Sequence, residues 1–168
     1  MRQYDEALSD YTKAIEINPG DPNVYNSRGT IYAELEKYDL AITDYSYSIQ
    51  IEPDLPVAYF NRGLSYAYLK QYDQAIADQT KAIDLNPNLA AAYNERGLAY
   101  YLFKEYDDSI VDFTKAIQID PQLSVAFNNR GAAYADSKQF DKAIIDYSEA
   151  IRLSPNTAIT YFSRGLLI

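Results

Sequence analysis

Five of the six glycines, Gly29, Gly63, Gly97, Gly131 and Gly165, stand 34 residues apart. Pro19, Pro53, Pro87, Pro121 and Pro155 keep the same interval, and so does the aromatic column Tyr4, Tyr38, Tyr72, Tyr106 and Phe140. Three residue types with unrelated chemistry share one period along 168 residues. That restricts the chain to a stack of repeating supersecondary units, each of which buries its apolar face only against its neighbours.

One period reads as two helices. Pro56 suits a first helical turn, and Tyr59, Gly63, Tyr66 and Leu69 follow at helical spacing. Lys70-Gln71-Tyr72 is a short turn, and Asp73 opens the second helix, where a carboxylate complements the positive end of the helix dipole. Ala75, Ile76, Gln79, Ala82, Ile83 and Leu85 form its apolar stripe, interrupted at Gln79. Asn86-Pro87-Asn88 closes it, because proline disfavours helix in the residue before it. Glycine within a helix costs about 1 kcal/mol against alanine. Five glycines at one station, with alanine-rich columns such as Ala7, Ala41, Ala75, Ser109 and Ala143, therefore predict close backbone contact between paired helices.

The composition removes whole chemistries. The chain has 18 Tyr but no His, Cys or Trp. Without imidazole or thiol there is no Ser-His-Asp or Cys-His nucleophile, no zinc site built on them and no disulfide framework. No loop follows the calcium pattern D-x-[DN]-x-[DN]-G, and Glu34, Glu95 and Asp136 lie on successive or alternate units with no pocket logic joining them. We therefore assign no catalytic, cofactor-binding or metal-binding residues and expect no enzyme. A net charge of −9 disfavours nucleic acid and anionic membranes. No stretch approaches the roughly 18 apolar residues of a membrane span. Met1-Arg2-Gln3-Tyr4-Asp5-Glu6 lacks the apolar segment of a secretory signal, so a cytoplasmic location is expected.

A 34-residue helix-turn-helix unit with these aromatic, Gly, Tyr, Ala and Pro stations resembles the tetratricopeptide repeat. The resemblance covers the whole chain as one array. A half repeat, its second helix, occupies residues 1–21; full repeats occupy 22–55, 56–89, 90–123 and 124–157; a half repeat, its first helix, occupies 158–168. It implies an all-α fold, a right-handed α-α superhelix of stacked helix pairs. First helices line the concave face of such a superhelix, where a protein or peptide segment docks, and the implied role is that of an interaction scaffold or adaptor.

One departure from the family is systematic. Where the family usually carries an aliphatic residue before the glycine, this chain has Arg28, Arg62, Arg96, Arg130 and Arg164. Its second helices carry a matching column, Asp10, Asp44, Asp78, Asp112 and Asp146. Equal number and equal period predict Arg–Asp pairs that tie the helices of neighbouring units, in preference to an arginine stripe that holds anions.

The resemblance places the candidate partner-binding residues on the outward stations of the first helices. They are Asn26, Thr30, Phe60, Asn61, Leu64, Tyr68, Asn94, Glu95, Leu98, Tyr101, Leu102, Asn128 and Asn129. Phe60, Leu64, Tyr68, Leu98, Tyr101 and Leu102 form an apolar patch, and clustered aromatics of this kind mark interaction sites. The asparagines add amides able to bond a peptide backbone. Chaperone-binding family members grip a C-terminal carboxylate with Lys, Arg and Asn. The matching stations here are Asn26, Thr30, Asn61, Ala91 and Glu95, of which only Asn61 fits. The expected ligand is apolar, neutral or mildly basic.

The two half repeats are complementary, and their apolar residues lack companions within the chain. Tyr4, Leu8 and Tyr11 at one end, and Tyr161, Phe162, Leu166, Leu167 and Ile168 at the other, are the candidate self-association residues. Two readings stay open: a homo-oligomer joined head to tail or by exchange of terminal helices, or a piece cut from a longer array.

Overall fold

A computed structural model describes residues 2–168. Among them every regular element is an α-helix: α1 (Arg2–Ile17), α2 (Pro22–Glu34), α3 (Tyr38–Ile51), α4 (Pro56–Tyr68), α5 (Tyr72–Leu85), α6 (Ala90–Leu102), α7 (Tyr106–Ile119), α8 (Ser124–Asp136), α9 (Phe140–Leu153) and α10 (Ala158–Gly165). The chain is an all-α solenoid of stacked helical hairpins. It divides into two compact units, Met1–Pro87 with α1 to α5 and Asn88–Ile168 with α6 to α10. In the first unit α2 pairs with α3 and α4 with α5, while α1 packs on α2 and α3 on α4. In the second, α6 pairs with α7, α8 with α9, and α10 packs on α9.

Six of the helix starts and stops follow from local chemistry. Pro22 and Pro56 occupy first turns, where a missing N–H costs nothing. The Asp21 carboxylate accepts from the Asn23 N–H at 2.9 Å and caps α2. First helices end in left-handed residues that are not glycine: Glu36, Lys70, Lys104 and Lys138, with φ between 59° and 65°. At the first of these turns the Glu36 N–H donates to the Ala33 carbonyl at 2.9 Å and the Lys37 N–H to the Tyr32 carbonyl at 2.8 Å. The same two bonds recur at Lys70, Lys104 and Lys138, so each turn satisfies two carbonyls that the helix end leaves open.

The core of each unit is narrow. Ala41, Ala58 and Ala75 are buried in the first unit, and Ala92, Ala126 and Ala143 in the second. The glycine column serves these seams in a way that differs from the expected meeting of backbones. A Cβ on Gly29 would lie 2.8 Å from the Tyr45 ring, on Gly97 2.9 Å from Phe113, and on Gly131 2.9 Å from Tyr147. Glycine makes room for an aromatic ring of the partner helix, not chiefly for its backbone. At Gly63 the occupant is Gln79, whose Nε2 would lie 2.7 Å from the added Cβ. Gly165 has nothing within 4 Å of that position, so the fifth glycine takes no part in a seam.

Candidate functional site

Four of the five arginines of the column, Arg28, Arg62, Arg96 and Arg130, grip an aspartate, whereas Arg164 forms no ion pair among the described residues and donates to the Ser148 hydroxyl at 3.1 Å. In the first unit Arg62 donates from Nε and Nη2 to the two carboxylate oxygens of Asp78 at 2.7 and 2.8 Å. Its Nη1 donates to the Ser46 hydroxyl at 2.9 Å. Its guanidinium lies over the rings of Tyr59 and Tyr66, the residues three before and four after it on α4. Arg28 repeats the arrangement with Asp44, Thr12, Tyr25 and Tyr32. In the second unit Arg130 does so with Asp146, Thr114, Phe127 and Tyr134. Arg96 pairs with Asp112 at 2.7 and 2.8 Å.

This corrects the expectation that the pairs tie neighbouring units. The carboxylate belongs to the second helix of the same repeat, sixteen residues on, and what reaches the preceding repeat is a hydroxyl bond from Nη1. The bidentate bond raises the affinity of Arg62 for its proton, against the opposing effect of burial. With both oxygens and the planar face occupied, the arginines are structural braces. The stacking has a signal in the sequence: aromatics stand three before and four after Arg28, Arg62, Arg96 and Arg130, a helical spacing.

The candidate groove residues separate by unit. In the first, Asn61 Nδ2 donates to Asn26 Oδ1 at 3.3 Å, joining α4 to α2. The Thr30 hydroxyl donates back to the Asn26 carbonyl at 3.0 Å. Phe60 and Leu64 are half-buried, whereas Tyr68 is 68% exposed. In the second unit Asn129 Nδ2 donates to Asn94 Oδ1 at 3.1 Å, and Asn94 Nδ2 donates to Glu95 Oε1 at 3.0 Å. Asn128 Oδ1 accepts from the Thr160 hydroxyl at 2.9 Å. Asn94 is only 3% exposed, so the expectation that its amide faces a partner is corrected: its amide bonds turn inward to Asn129 and Glu95. Burial pushes the Glu95 carboxyl above its ordinary range, partly offset by the Asn94 bond.

Leu98 and Tyr101 are half-buried and Leu102 is exposed. The Tyr101 hydroxyl donates to Asp136 at 2.7 Å. Burial and that carboxylate raise its affinity for the proton.

A cavity opens at the same station of each unit. In the first unit its volume is about 360 Å³, and Thr30, Glu34, Glu36 and Tyr38 line it with Tyr45, Asn61, Leu64 and Tyr68. Successive first helices form its walls, and Tyr45 from a second helix forms its floor. In the second unit the volume is about 400 Å³. Tyr101, Ala132, Asp136, Phe140, Tyr147 and Leu167 are among its lining residues. Thr30, Asn61, Leu64 and Tyr68 were among the groove candidates. Glu36, Tyr38 and Tyr45 were not, since they belong to a turn and a second helix.

The terminal candidates are also placed. Tyr4, Leu8 and Tyr11 on α1 are half-buried, as is Leu167, whereas Tyr161, Phe162, Leu166 and Ile168 are exposed. Among the described residues, no helix is long and apolar enough to cross a membrane, and no group of three His, Cys, Asp or Glu is placed to hold a metal.

These hairpins, glycine seats and left-handed turns define a helical-repeat solenoid. A family model described as tetratricopeptide repeat matches residues 56–89, 90–123 and 124–157, and a second, described as TPR repeat, matches 3–35 and 29–70. The chain belongs to the tetratricopeptide repeat family. No curated protein sequence matches it significantly.

Among solved structures it is similar to YrrB, described as a TPR protein with an unusual peptide-binding site. That match has 22% identity, a TM-score of 0.83, and coverage of 98% of this chain and 84% of the other. MamA matches at 25% identity and a TM-score of 0.85, over 93% and 91% of the two chains. The first TPR of Spaghetti (RPAP3), bound to the HSP90 peptide SRMEEVD, matches at 26% identity and a TM-score of 0.69, over 70% and 94%.

Proposed function

We propose that the chain is a non-enzymatic interaction scaffold that holds a protein or peptide segment along the outward face of its first helices. The observation that carries this reading is the cavity repeated at one station in both units, walled by successive first helices. Such a cavity takes side chains of a bound segment while the exposed apolar residues around it, Tyr68 and Leu102 among them, supply contact area. The peptide seen on the Spaghetti TPR supports the mode of binding. Its acidic end, EEVD, suits a basic clamp, which this chain lacks at Asn26, Thr30, Ala91 and Glu95. The ligand proposed here is therefore apolar or mildly basic.

The test is selection from a randomised dodecapeptide library displayed on phage, followed by NMR mapping of the selected peptides on labelled protein. Footprints on α2 and α4, or on α6 and α8, are expected. Peptides that map only to second helices, or the absence of any selected sequence, would refute the reading.

A second reading, association of the chain with itself, is favoured by exposed Phe162, Leu166 and Ile168 on and after α10. Light scattering behind a sizing column should then show a mass that climbs with concentration and falls back in Phe162→Glu. A constant 19.1 kDa would exclude it.

A further inference from the structure

We propose that the cavity of the first unit is a pocket for one cationic side chain, lysine or arginine, of the bound segment. This deepens the peptide-binding reading and rests on it for the source of the side chain. The pocket's own chemistry carries the inference.

Two carboxylates, Glu34 and Glu36, line the cavity, and no lysine or arginine does. Both are exposed, and neither has a basic partner within 4.0 Å among the described side chains. Glu34 faces the Tyr4 phenol, whose proton affinity it raises. Tyr38 and Tyr68 stack on each other beside them, ring centroids 4.8 Å apart and 7° from parallel, and close one side of the cavity as an aromatic pair. Tyr45, 2% exposed, forms the floor, and its hydroxyl reaches Thr30 Oγ1 only at a long 3.4 Å. That phenol oxygen keeps lone pairs free to accept from a cationic head.

Anionic rim, aromatic wall and half-satisfied acceptor converge on one class of ligand. A lysine or arginine lays its apolar stem along the rings and Leu64 and brings its charged head to the carboxylates. About 360 Å³ lies at the small end of ligand pockets, which fits one long side chain.

The repeat supplies an internal control. Three periods on, the cavity of the second unit has Ala132 at the station of Thr30 and Phe140 at that of Tyr38, and Lys138, at the station of Glu36, is not among its lining residues. Its remaining carboxylate, Asp136, already accepts the Tyr101 hydroxyl. The left-handed turn position is lysine in the other three repeats, Lys70, Lys104 and Lys138, and acidic only at Glu36. The acidic character is thus local to one pocket and does not come with the scaffold.

The test is titration of the full chain, labelled with nitrogen-15, with Nα-acetyl-lysine methylamide and with N-acetyl-norleucine methylamide, which keeps the four-carbon stem and lacks the ammonium. The lysine probe should shift amides of residues 34–38 and 61–68 saturably, at least about tenfold more tightly than the norleucine probe. Glu34→Gln with Glu36→Gln should remove that advantage, whereas Asp136→Asn should keep it. Circular dichroism checks that each variant is folded. Equal binding of the two probes, no saturable shift at these residues, or unchanged lysine binding in the double variant would overturn the proposal.

The outcome separates from that of the peptide reading. Selected peptides together with a silent lysine probe defeat the pocket alone. A responsive probe with no selected peptide defeats the groove reading and leaves the pocket standing.

Discussion

Replacing Arg62 with alanine should lower the unfolding free energy by about 3 kcal/mol. Breaking a fully buried pair costs roughly 3–5 kcal/mol, because the remaining charge is stranded. Here the stranded group is Asp78, whose side chain is 9% exposed. The Arg62 side chain is 19% exposed, so its departure admits some water to the carboxylate and places the loss at the low end of that range. Lost stacking on Tyr59 and Tyr66 adds a fraction of the ~0.5–1 kcal/mol typical of an exposed cation–π contact. With a urea dependence of about 1–3 kcal/mol/M, the midpoint should fall by roughly 1–3 M.

The assay is urea unfolding followed by circular dichroism and tyrosine fluorescence. Lys13→Ala serves as the reference, since it removes the exposed Lys13–Glu16 pair. Asp78→Ala on top of Arg62→Ala should recover part of the loss by removing the stranded charge. Arg62→Lys should recover only part of it, because an ammonium keeps the charge but not the two-pronged bond. If Arg62→Ala moved the midpoint no further than Lys13→Ala, the brace interpretation would be wrong.

Three further outcomes are expected. Lys104→Gly should stabilise the chain by about 1 kcal/mol, since glycine adopts φ 65° without the crowding a Cβ meets there; an unchanged urea midpoint would contradict this. Gln79→Tyr should raise the melting temperature, because it restores the ring that Tyr45, Phe113 and Tyr147 place on the glycines of the other seams and removes a buried amide oxygen with no partner. Glu95→Gln should stabilise the chain at neutral pH by an amount that shrinks as pH falls. The folded Glu95 carboxyl titrates above its unfolded value, so its cost is fully present above the folded pKa and vanishes below the unfolded one. A difference independent of pH, measured between pH 3 and 7, would rule that out.

Much of the fold was legible because repetition reports the same design several times over. Helix pairing, turn positions and the alanine seams follow from columns that recur at 34 residues. The candidate site was half legible. Thr30, Asn61, Leu64 and Tyr68 could be placed on first helices by period alone, whereas Glu36, Tyr38 and Tyr45 enter the same cavity from a turn and a second helix. Asn94 misled for a related reason. A polar residue at an outward station reads as available, but a hydrogen bond to a residue 35 positions away turns it inward.

The sequence by itself determined the class of the molecule, its helix boundaries to within a residue or two, and the absence of imidazole and thiol chemistry. These depend on local periodicity and composition, which need no partner. Only the tertiary structure decided which aspartate each arginine holds. Arg62 stands eighteen residues after Asp44 and sixteen before Asp78, and in a chain that repeats every 34 residues both spacings recur from unit to unit, the first five times and the second four. Translation along the repeat cannot distinguish them. The packing of α4 on α5 does: it brings Asp78 to 2.7 Å and leaves only the Ser46 hydroxyl for the preceding repeat. The cavity is tertiary for the same reason, since its walls are set by how first helices stack on the second helix between them.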